Sequence, residues 1–250
     1  MRNNPAPKVL LGCPINIVKN YCLDSWLKMV VNLTYSNYDI YLVDNSRNPE
    51  YHKKLSDKYK VKIDYVDPAK MEAREYMAKS IEKIRQRAVK RKYDYLFILE
   101  CDIFPHPQII ELLMGNNKPV VGTSFWTGFG DKTFFQLLGV EQIEERKVAP
   151  FFLGLSQIRV LYNGQLQTSF ANGNGCVLIK REVLEKIKFR VDMTQEGFSD
   201  GFFHIDLFML GIENWIDTSI IPLHWNSRWN TVPDNKKHAL MFDHKKSKTL

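Results

Sequence analysis

The stretch YLFILECD, Tyr95 to Asp102, indicates the fold best. Its first five residues form an apolar run that predicts a buried strand, and the run leads directly into Glu100 and Asp102. Burying carboxylates at a strand end is costly unless something compensates the charge. A divalent cation would do so, because Mg²⁺ and Mn²⁺ prefer carboxylate oxygens and substrate phosphates. The acids could instead cap the next helix or pair with arginine, and the triplet alone leaves both interpretations open.

Upstream of this stretch, strand and helix patterns alternate. Short apolar runs predict strands over residues 8–14, 39–44 and 61–66, and helical spacing predicts helices over 20–33 and from Asp67-Pro68 to about Lys92. Alternation of this kind implies a parallel sheet, in which ligands bind at the carboxyl ends of the strands. The candidate binding segments are therefore residues 14–16, 44–46 and 100–102.

The second half of the chain is less regular. Strands are predicted over residues 119–125, 176–179 and 215–221, and Asn163-Gly164 predicts the turn of a hairpin over 159–170. A flexible loop is expected at 172–175, and helices are expected over 181–187 and over 201–210, the latter ending at Gly211.

Composition restricts the class of protein. The 250 residues are 44% hydrophobic, which suits one large domain, here placed at residues 1–228, followed by a basic tail at 229–250. The net charge of +7 favours acidic partners, such as nucleotide diphosphates, nucleic acid or anionic membrane surfaces. The four cysteines form no CxxC pair and are expected to be buried free thiols. No apolar segment reaches the roughly 18 residues of a membrane span, so a cytoplasmic location is expected.

Six segments share an order and spacing that point to one family. They are VDNS at 43–46, RQ at 85–86, LECDIFP at 99–105, GNGCVLIKREV at 173–183, SD at 199–200, and His224. The set resembles the family-2-type glycosyltransferases, which transfer a sugar from a nucleotide donor and have the GT-A fold. The resemblance covers roughly residues 8–226. It implies an α/β, Rossmann-like architecture with a mainly parallel central sheet flanked by helices.

The resemblance also implies roles for single residues. Asp102, in a DXD-like motif whose first acid is Glu100, would hold Mn²⁺ or Mg²⁺ together with His224. Asp200 would be the catalytic base of a single displacement with inversion. The nucleotide-sugar, with UDP favoured, would be bound by Asp44, Arg85, Glu100, Asp102, Gly173 and Gly175. The position at a strand end adds Pro14 and Asn16 to this set.

Each of these side chains also has a structural interpretation. Arg85 could be one more solvated arginine on a basic helix, Asp200 could be a helix N-cap, and His224 could be a packed core residue. His204 and Asp206 are expected on the helix surface, although they could line an acceptor cleft.

Other functions remain open from the sequence. The acceptor could be a glycan, a lipid-linked sugar or a protein. A DNA-modifying glycosyltransferase acting on a hydroxylated base and a nucleotidyltransferase are the enzyme alternatives, and a polyanion-binding module is the non-enzyme alternative. The chain has neither a P-loop motif nor a GxGxxG motif after the first strand.

Overall fold

The computed structural model describes residues 6–129, 132–144, 147–152 and 155–225. The strands are β1 (Val9–Ile15), β2 (Tyr38–Asp44), β3 (Lys62–Tyr65), β4 (Tyr95–Leu99), β5 (Ile103–Phe104), β6 (Val120–Gly122), β7 (Trp126–Phe129), β8 (Lys132–Phe135), β9 (Leu138–Glu144), β10 (Lys147–Phe152), β11 (Leu166–Thr168), β12 (Cys176–Lys180), β13 (Asn214–Asp217) and β14 (Leu223–His224). The helices are α1 (Asn20–Val30), α2 (Pro49–Lys58), α3 (Ala73–Lys90), α4 (Ile109–Gly115), α5 (Leu155–Leu161), α6 (Arg181–Leu184) and α7 (Ser199–Met209), and a 3₁₀ turn spans Ile17–Lys19.

A central sheet has the strand order β11-β13-β6-β12-β4-β1-β2-β3. Strands β4, β1, β2 and β3 are parallel neighbours, and β13 is parallel to β6. Strand β12 runs antiparallel between β4 and β6, and β11 is antiparallel to β13. The predicted α/β class, with a central sheet flanked by helices, is confirmed.

The antiparallel direction of β12 positions a loop. Cys176, its first residue, pairs with Leu99, the last residue of β4. The segment before β12 therefore arrives at the carboxyl end of β4, where Gly175 O accepts a hydrogen bond of 2.9 Å from Glu100 N. A parallel strand at this place would begin at the far edge of the sheet.

Alternating strand residues bury the two faces of the sheet. On one face, Leu11 packs in the same cluster as Trp26 of α1. On the other, Leu10 packs with Ile84 of α3 and Phe203 of α7. Side chains of this size contribute roughly 1.5–3 kcal/mol each when fully buried, so helices on both faces hold the sheet.

The predicted start of helix α3 at Asp67-Pro68 is wrong. The Asp67 carboxylate accepts a hydrogen bond of 2.9 Å from Ala69 N and forms a local turn. Lys70 then has a positive φ of 63°, which a helix cannot accommodate, and α3 begins only at Ala73. The aspartate satisfies backbone groups of a turn instead of a helix, a known alternative for this residue type.

Two other elements differ from the sequence prediction. Helix α2 was not predicted, although Asn48 caps it by accepting from Glu50 N at 3.1 Å and Pro49 opens it. The turn at Asn163-Gly164 joins helix α5 to strand β11, so residues 159–170 do not form a hairpin. The turn signal was correct, but the segment before it is helical.

The remaining expectations concern cysteines, membrane helices and the tail. All four cysteines are free and buried, as expected. Within the described ranges, no helix has both the length and the apolar character needed to span a bilayer. The predicted tail at 229–250 lies outside the described residues.

Candidate active site

The acidic triplet forms a tight turn at the end of β4. Ile103 N donates to Glu100 O at 2.9 Å, which closes the turn. Cys101 packs into the hydrophobic core, whereas Glu100 and Asp102 line a cavity of about 400 Å³. The turn therefore presents two carboxylates on one side because the residue between them is buried on the other.

A two-stranded ribbon brings His224 to this turn. His224 in β14 pairs with Ile103 in β5, and Trp225 N donates to Asp102 O at 2.7 Å. The Nε2 atom of His224 lies 3.3 Å from Asp102 Oδ2, and its Nδ1 lies 2.8 Å from Trp126 O. A carbonyl only accepts, so Nδ1 carries a proton and Nε2 is the ring nitrogen directed at the carboxylate.

Lys19 is the cation of this cluster, and the sequence analysis did not single it out. Its Nζ lies 2.8 Å from Asp102 Oδ2 and 3.3 Å from Glu100 Oε2. Burial alone lowers the pKa of Lys19, but the two carboxylates more than offset this and raise it well above its usual range. The candidate segment at 14–16 ended three residues before this lysine.

The contacts among Lys19, Asp102 and His224 also shift the pKa values of Asp102 and His224. Burial alone raises the pKa of Asp102, but Lys19 and His224 lower it to about 2. Burial lowers the pKa of His224, but its hydrogen bond to Asp102 and the charge of that carboxylate raise it above its ordinary value. The carboxylate is thus firmly ionised.

The cavity collects residues from distant segments of the chain. Those singled out from the sequence and lining it are Glu100, Asp102, Gly173, Gly175, Asp200 and His224. Those not singled out include Lys19, Tyr21, Gln136 and Asn174.

Close packing explains the glycines of the loop before β12. A Cβ on Gly175 would lie 2.5 Å from the ring of Phe125, and Gly173 has a positive φ of 70°. Between them, Asn174 is only 3% exposed, and neither its Nδ2 nor its Oδ1 has a hydrogen-bond partner within the described part of the chain. A buried amide without a partner costs free energy, so Asn174 is suited to bind a polar ligand in the cavity. Its place between two glycines was the only sequence signal.

Asp200 is the second residue of α7 and is half-buried at the cavity. Phe198 occupies the N-cap position, so the alternative in which Asp200 caps the helix is not supported. Its Oδ1 accepts from Gly201 N at 2.9 Å. Burial raises the pKa of this carboxyl, and the negative charge of Glu100 adds to the effect. A raised pKa makes the ionised carboxylate a better proton acceptor.

The ends of β1 and β2 form a separate polar cluster. Asp44 is fully buried, and its Oδ1 accepts from the backbone and hydroxyl of Ser46 at 2.9 and 2.6 Å. Its Oδ2 has no partner within the described residues, and burial raises its pKa. Asn16 Nδ2 donates to Asn45 Oδ1 at 2.8 Å. Asn16, Asp44 and the half-buried Pro14 of β1 are not among the residues that line the 400 Å³ cavity.

Arg85 also lies away from the cavity lining. Its Nε and Nη2 both donate to the Glu82 carboxylate at 2.7 Å, and its Nη1 donates to Leu184 O at 2.6 Å. The residue is 9% exposed, so it is neither a solvated surface arginine nor a side chain available to a phosphate in this arrangement. Arg85 ties α3 to α6.

His204 differs from its expected surface position. It is 1% exposed and lines a second, mainly apolar cavity, whereas Asp206 is partly exposed and pairs with Arg190 at 2.6 Å. Neither residue lines the cavity that contains Asp102.

Within the described residues, no three His, Cys, Asp or Glu side chains are grouped as a metal-binding set. Asp102 and His224 nevertheless offer an oxygen and a nitrogen ligand. Asp102 Oδ1 is buried and has no partner in the described structure, and the Nδ1 contact to Trp126 O fixes the orientation of the imidazole. The donor set therefore fits a divalent cation whose remaining ligands are water and substrate oxygens.

Comparison with known proteins supports the architecture. No protein-family model matches the chain. No curated protein matches it either. Among solved structures, it is similar to GalNAc-T7 with UDP, GalNAc and Mn²⁺, at a TM-score of 0.60 and 12% identity, over 89% of this chain and 44% of that one. It also matches A197 from STIV (TM-score 0.48, 15% identity, 88% and 86% covered) and S. aureus TarS (0.47, 11%, 86% and 35%).

These similarities bear on the fold alone. The chain spans less than half the length of GalNAc-T7, and the identity is too low to transfer an activity. The arrangement of the central sheet and its helices is that of the GT-A fold.

Proposed function

We propose that the chain is a nucleotide-sugar glycosyltransferase that uses Mn²⁺ or Mg²⁺, with a UDP-sugar as the favoured donor. One observation carries the proposal: a single cavity is lined by Glu100, Asp102, Asp200 and His224 and by the loop at 173–175. Together with the loop, these residues come from four separate segments of the chain, which the fold brings to one cavity. The GT-A fold, shared with a protein that was solved with UDP and Mn²⁺, adds support.

The nucleotide-sugar donor is proposed to bind in the part of the cavity lined by Glu100 and Asp102. Asp102 and His224 would hold the cation, which supplies positive charge for the diphosphate that leaves. Asn174 would donate to and accept from hydroxyl groups of the sugar, because its buried amide has no other partner in the described residues. Asn16 and Asp44, at the ends of the neighbouring strands, remain proposed contacts of the nucleoside.

Asp200 is proposed as the base of a single displacement. Its carboxylate takes the proton of the acceptor hydroxyl while that oxygen forms a bond to the anomeric carbon of the donor. The bond from the anomeric carbon to the phosphate oxygen breaks, and the nucleotide diphosphate leaves with both bonding electrons. Attack from the face opposite the leaving group inverts the anomeric carbon.

The proposed domain and acceptor rest on less specific features. The catalytic domain is proposed to cover residues 1–228. A net charge of +7 favours an acidic acceptor or one presented on an anionic surface, such as nucleic acid, an anionic glycan or a lipid-linked sugar. Transfer to such an acceptor should weaken as salt rises.

The test is a thermal-shift screen of UDP-, GDP- and dTDP-sugars, each with Mn²⁺ and with EDTA. A donor at about 100 times its Kd stabilises the folded state by about 2.7 kcal/mol, which a melting curve detects easily. We expect a UDP-sugar to raise Tm only when Mn²⁺ is present. Asp57→Asn, a charge-removing change at an exposed residue of α2, is the matched control for Asp102→Asn. Absence of any shift with every donor would contradict the proposal.

A further inference from the structure

The ammonium group of Lys19 contacts both carboxylates of the acidic turn. It contacts Asp102 Oδ2 at 2.8 Å and Glu100 Oε2 at 3.3 Å, and the side chain of Asp102 is only 5% exposed. A divalent cation bound through Asp102 would stand within a few ångströms of the same ammonium. Like charges so close in a partly buried site repel strongly, so the two cations compete for one carboxylate.

The contacts differ from those of a purely structural ion pair. Both partners of the Asp102 carboxylate, the Lys19 ammonium and the His224 ring, meet the same oxygen, Oδ2. The other oxygen, Oδ1, is buried and has no partner within the described residues. A pair that only stabilised the fold would be expected to satisfy both oxygens, because a buried acceptor without a partner is costly. Asp102 Oδ1 is therefore available to bind a further ligand.

Lys19 is also partly exposed to solvent. Its side chain is 31% exposed, it ends the 3₁₀ turn before α1, and it lines the same cavity as Asp200 and Gly173. The described residues that line this cavity include no second lysine and no arginine. An ammonium released from Asp102 would therefore be the nearest protein cation for a diphosphate bound there.

We propose that Lys19 is an internal competitor of the divalent cation and couples metal binding to donor binding. In the absence of donor, its ammonium neutralises the acidic turn and weakens metal binding. When a nucleotide diphosphate binds, the ammonium transfers from Asp102 to the phosphates, and the metal gains the carboxylate. The proposal rests on the function proposed above and adds to it a reason for the two ligands to bind cooperatively.

The test measures binding in the absence of turnover. Calorimetric titrations give the affinity of the wild-type protein for Mn²⁺ alone, for UDP alone, and for Mn²⁺ at saturating UDP. Lys19→Met removes the competing charge, and Lys28→Met removes an exposed lysine of α1 as the matched control. We expect Lys19→Met to bind Mn²⁺ alone about tenfold more tightly and to lose most of the cooperativity with UDP, a coupling of about 5–150-fold in typical cases. Lys28→Met should match the wild type.

The outcomes separate the two proposals. If Lys19→Met folds and binds Mn²⁺ alone no more tightly than the wild type, the competition is refuted while the proposed function stands. If neither Mn²⁺ nor UDP binds to any variant, the proposed function fails and this inference fails with it. Lys19→Gln, which keeps a hydrogen-bond donor without the charge, should behave like Lys19→Met and replaces it if the methionine variant does not fold.

Discussion

Replacing Asp102 with asparagine tests whether the charge of this carboxylate, and not its shape, holds the site together. The substitution keeps the size of the side chain and leaves the backbone bond from Trp225 N to the carbonyl of residue 102 intact. It removes the negative charge that Lys19 and His224 contact at 2.8 and 3.3 Å. Any loss of stability therefore reports the electrostatic part of the cluster.

The shifted pKa of Asp102 gives the magnitude. It falls from 3.8 to about 2, and a shift of that size corresponds to about 2 kcal/mol of stabilisation of the ionised form. Lys19 retains Glu100 as a partner, so the full cost of roughly 3–5 kcal/mol for breaking a buried pair is not expected. We expect Asp102→Asn to lose about 2 kcal/mol in EDTA, which lowers Tm by roughly 4–8 °C for a chain of this length.

Urea denaturation in EDTA and in Mn²⁺ measures both consequences. Wild-type protein should gain stability from Mn²⁺, and Asp102→Asn should not, because it lacks the anionic ligand. Asp57→Asn should stay within about 0.5 kcal/mol of the wild type in both buffers. Equal stability of Asp102→Asn and wild type in EDTA would refute the electrostatic reasoning, and a preserved gain from Mn²⁺ would refute the metal assignment.

Three further changes test the site. Asp200→Asn should bind donor and metal normally while transfer slows by about 10²–10⁴-fold, and normal transfer by the variant would end the assignment of Asp200 as base. Transfer by the wild type should rise with pH at values above the ordinary carboxyl range, because burial raises the pKa of Asp200 and the base must be ionised. Gly175→Ala should weaken donor binding, measured by titration, because the added Cβ would clash with the ring of Phe125. An unchanged affinity would contradict this prediction and show that the loop at 173–175 shifts to accommodate the methyl group. Arg85→Met should lower Tm through loss of its bonds to Glu82 and leave UDP affinity unchanged, and weaker UDP binding with an unchanged Tm would restore a phosphate role.

The strands of the sheet were predictable where the sequence contains continuous apolar runs. Apolar runs identified β1, β2 and β4 to within one or two residues, because strands that are largely buried in a parallel sheet are rich in consecutive apolar residues. Strand direction was not predictable for β12, whose composition is that of any buried strand. Asp67-Pro68 shows the opposite case: the residues suit a helix start, but the aspartate bonds to Ala69 and forms a turn.

The site was predictable in its acids and not in their partners. The family resemblance paired Asp102 with His224, and the structure brings His224 Nε2 within 3.3 Å of Asp102 Oδ2. Lys19 was missed because one lysine among many carries no local signal, and its role depends on where a long side chain reaches. The bond from Arg85 to Leu184 O was not predictable for the same reason, since the two residues are 99 positions apart.

Backbone bonds and side-chain charges have separate tasks at the acidic turn. Glu100 N is bonded to Gly175 O, and Trp225 N is bonded to Asp102 O, so two distant segments fix the turn through main-chain groups that no ligand replaces. The Lys19 ammonium meets the carboxylate through a long side chain that is 31% exposed, whereas the contact with Trp126 O holds the orientation of the His224 ring. A turn held in this way would keep its geometry if its cation changed, and this separation would allow the proposed exchange of the lysine for a metal at Asp102 without unfolding the turn.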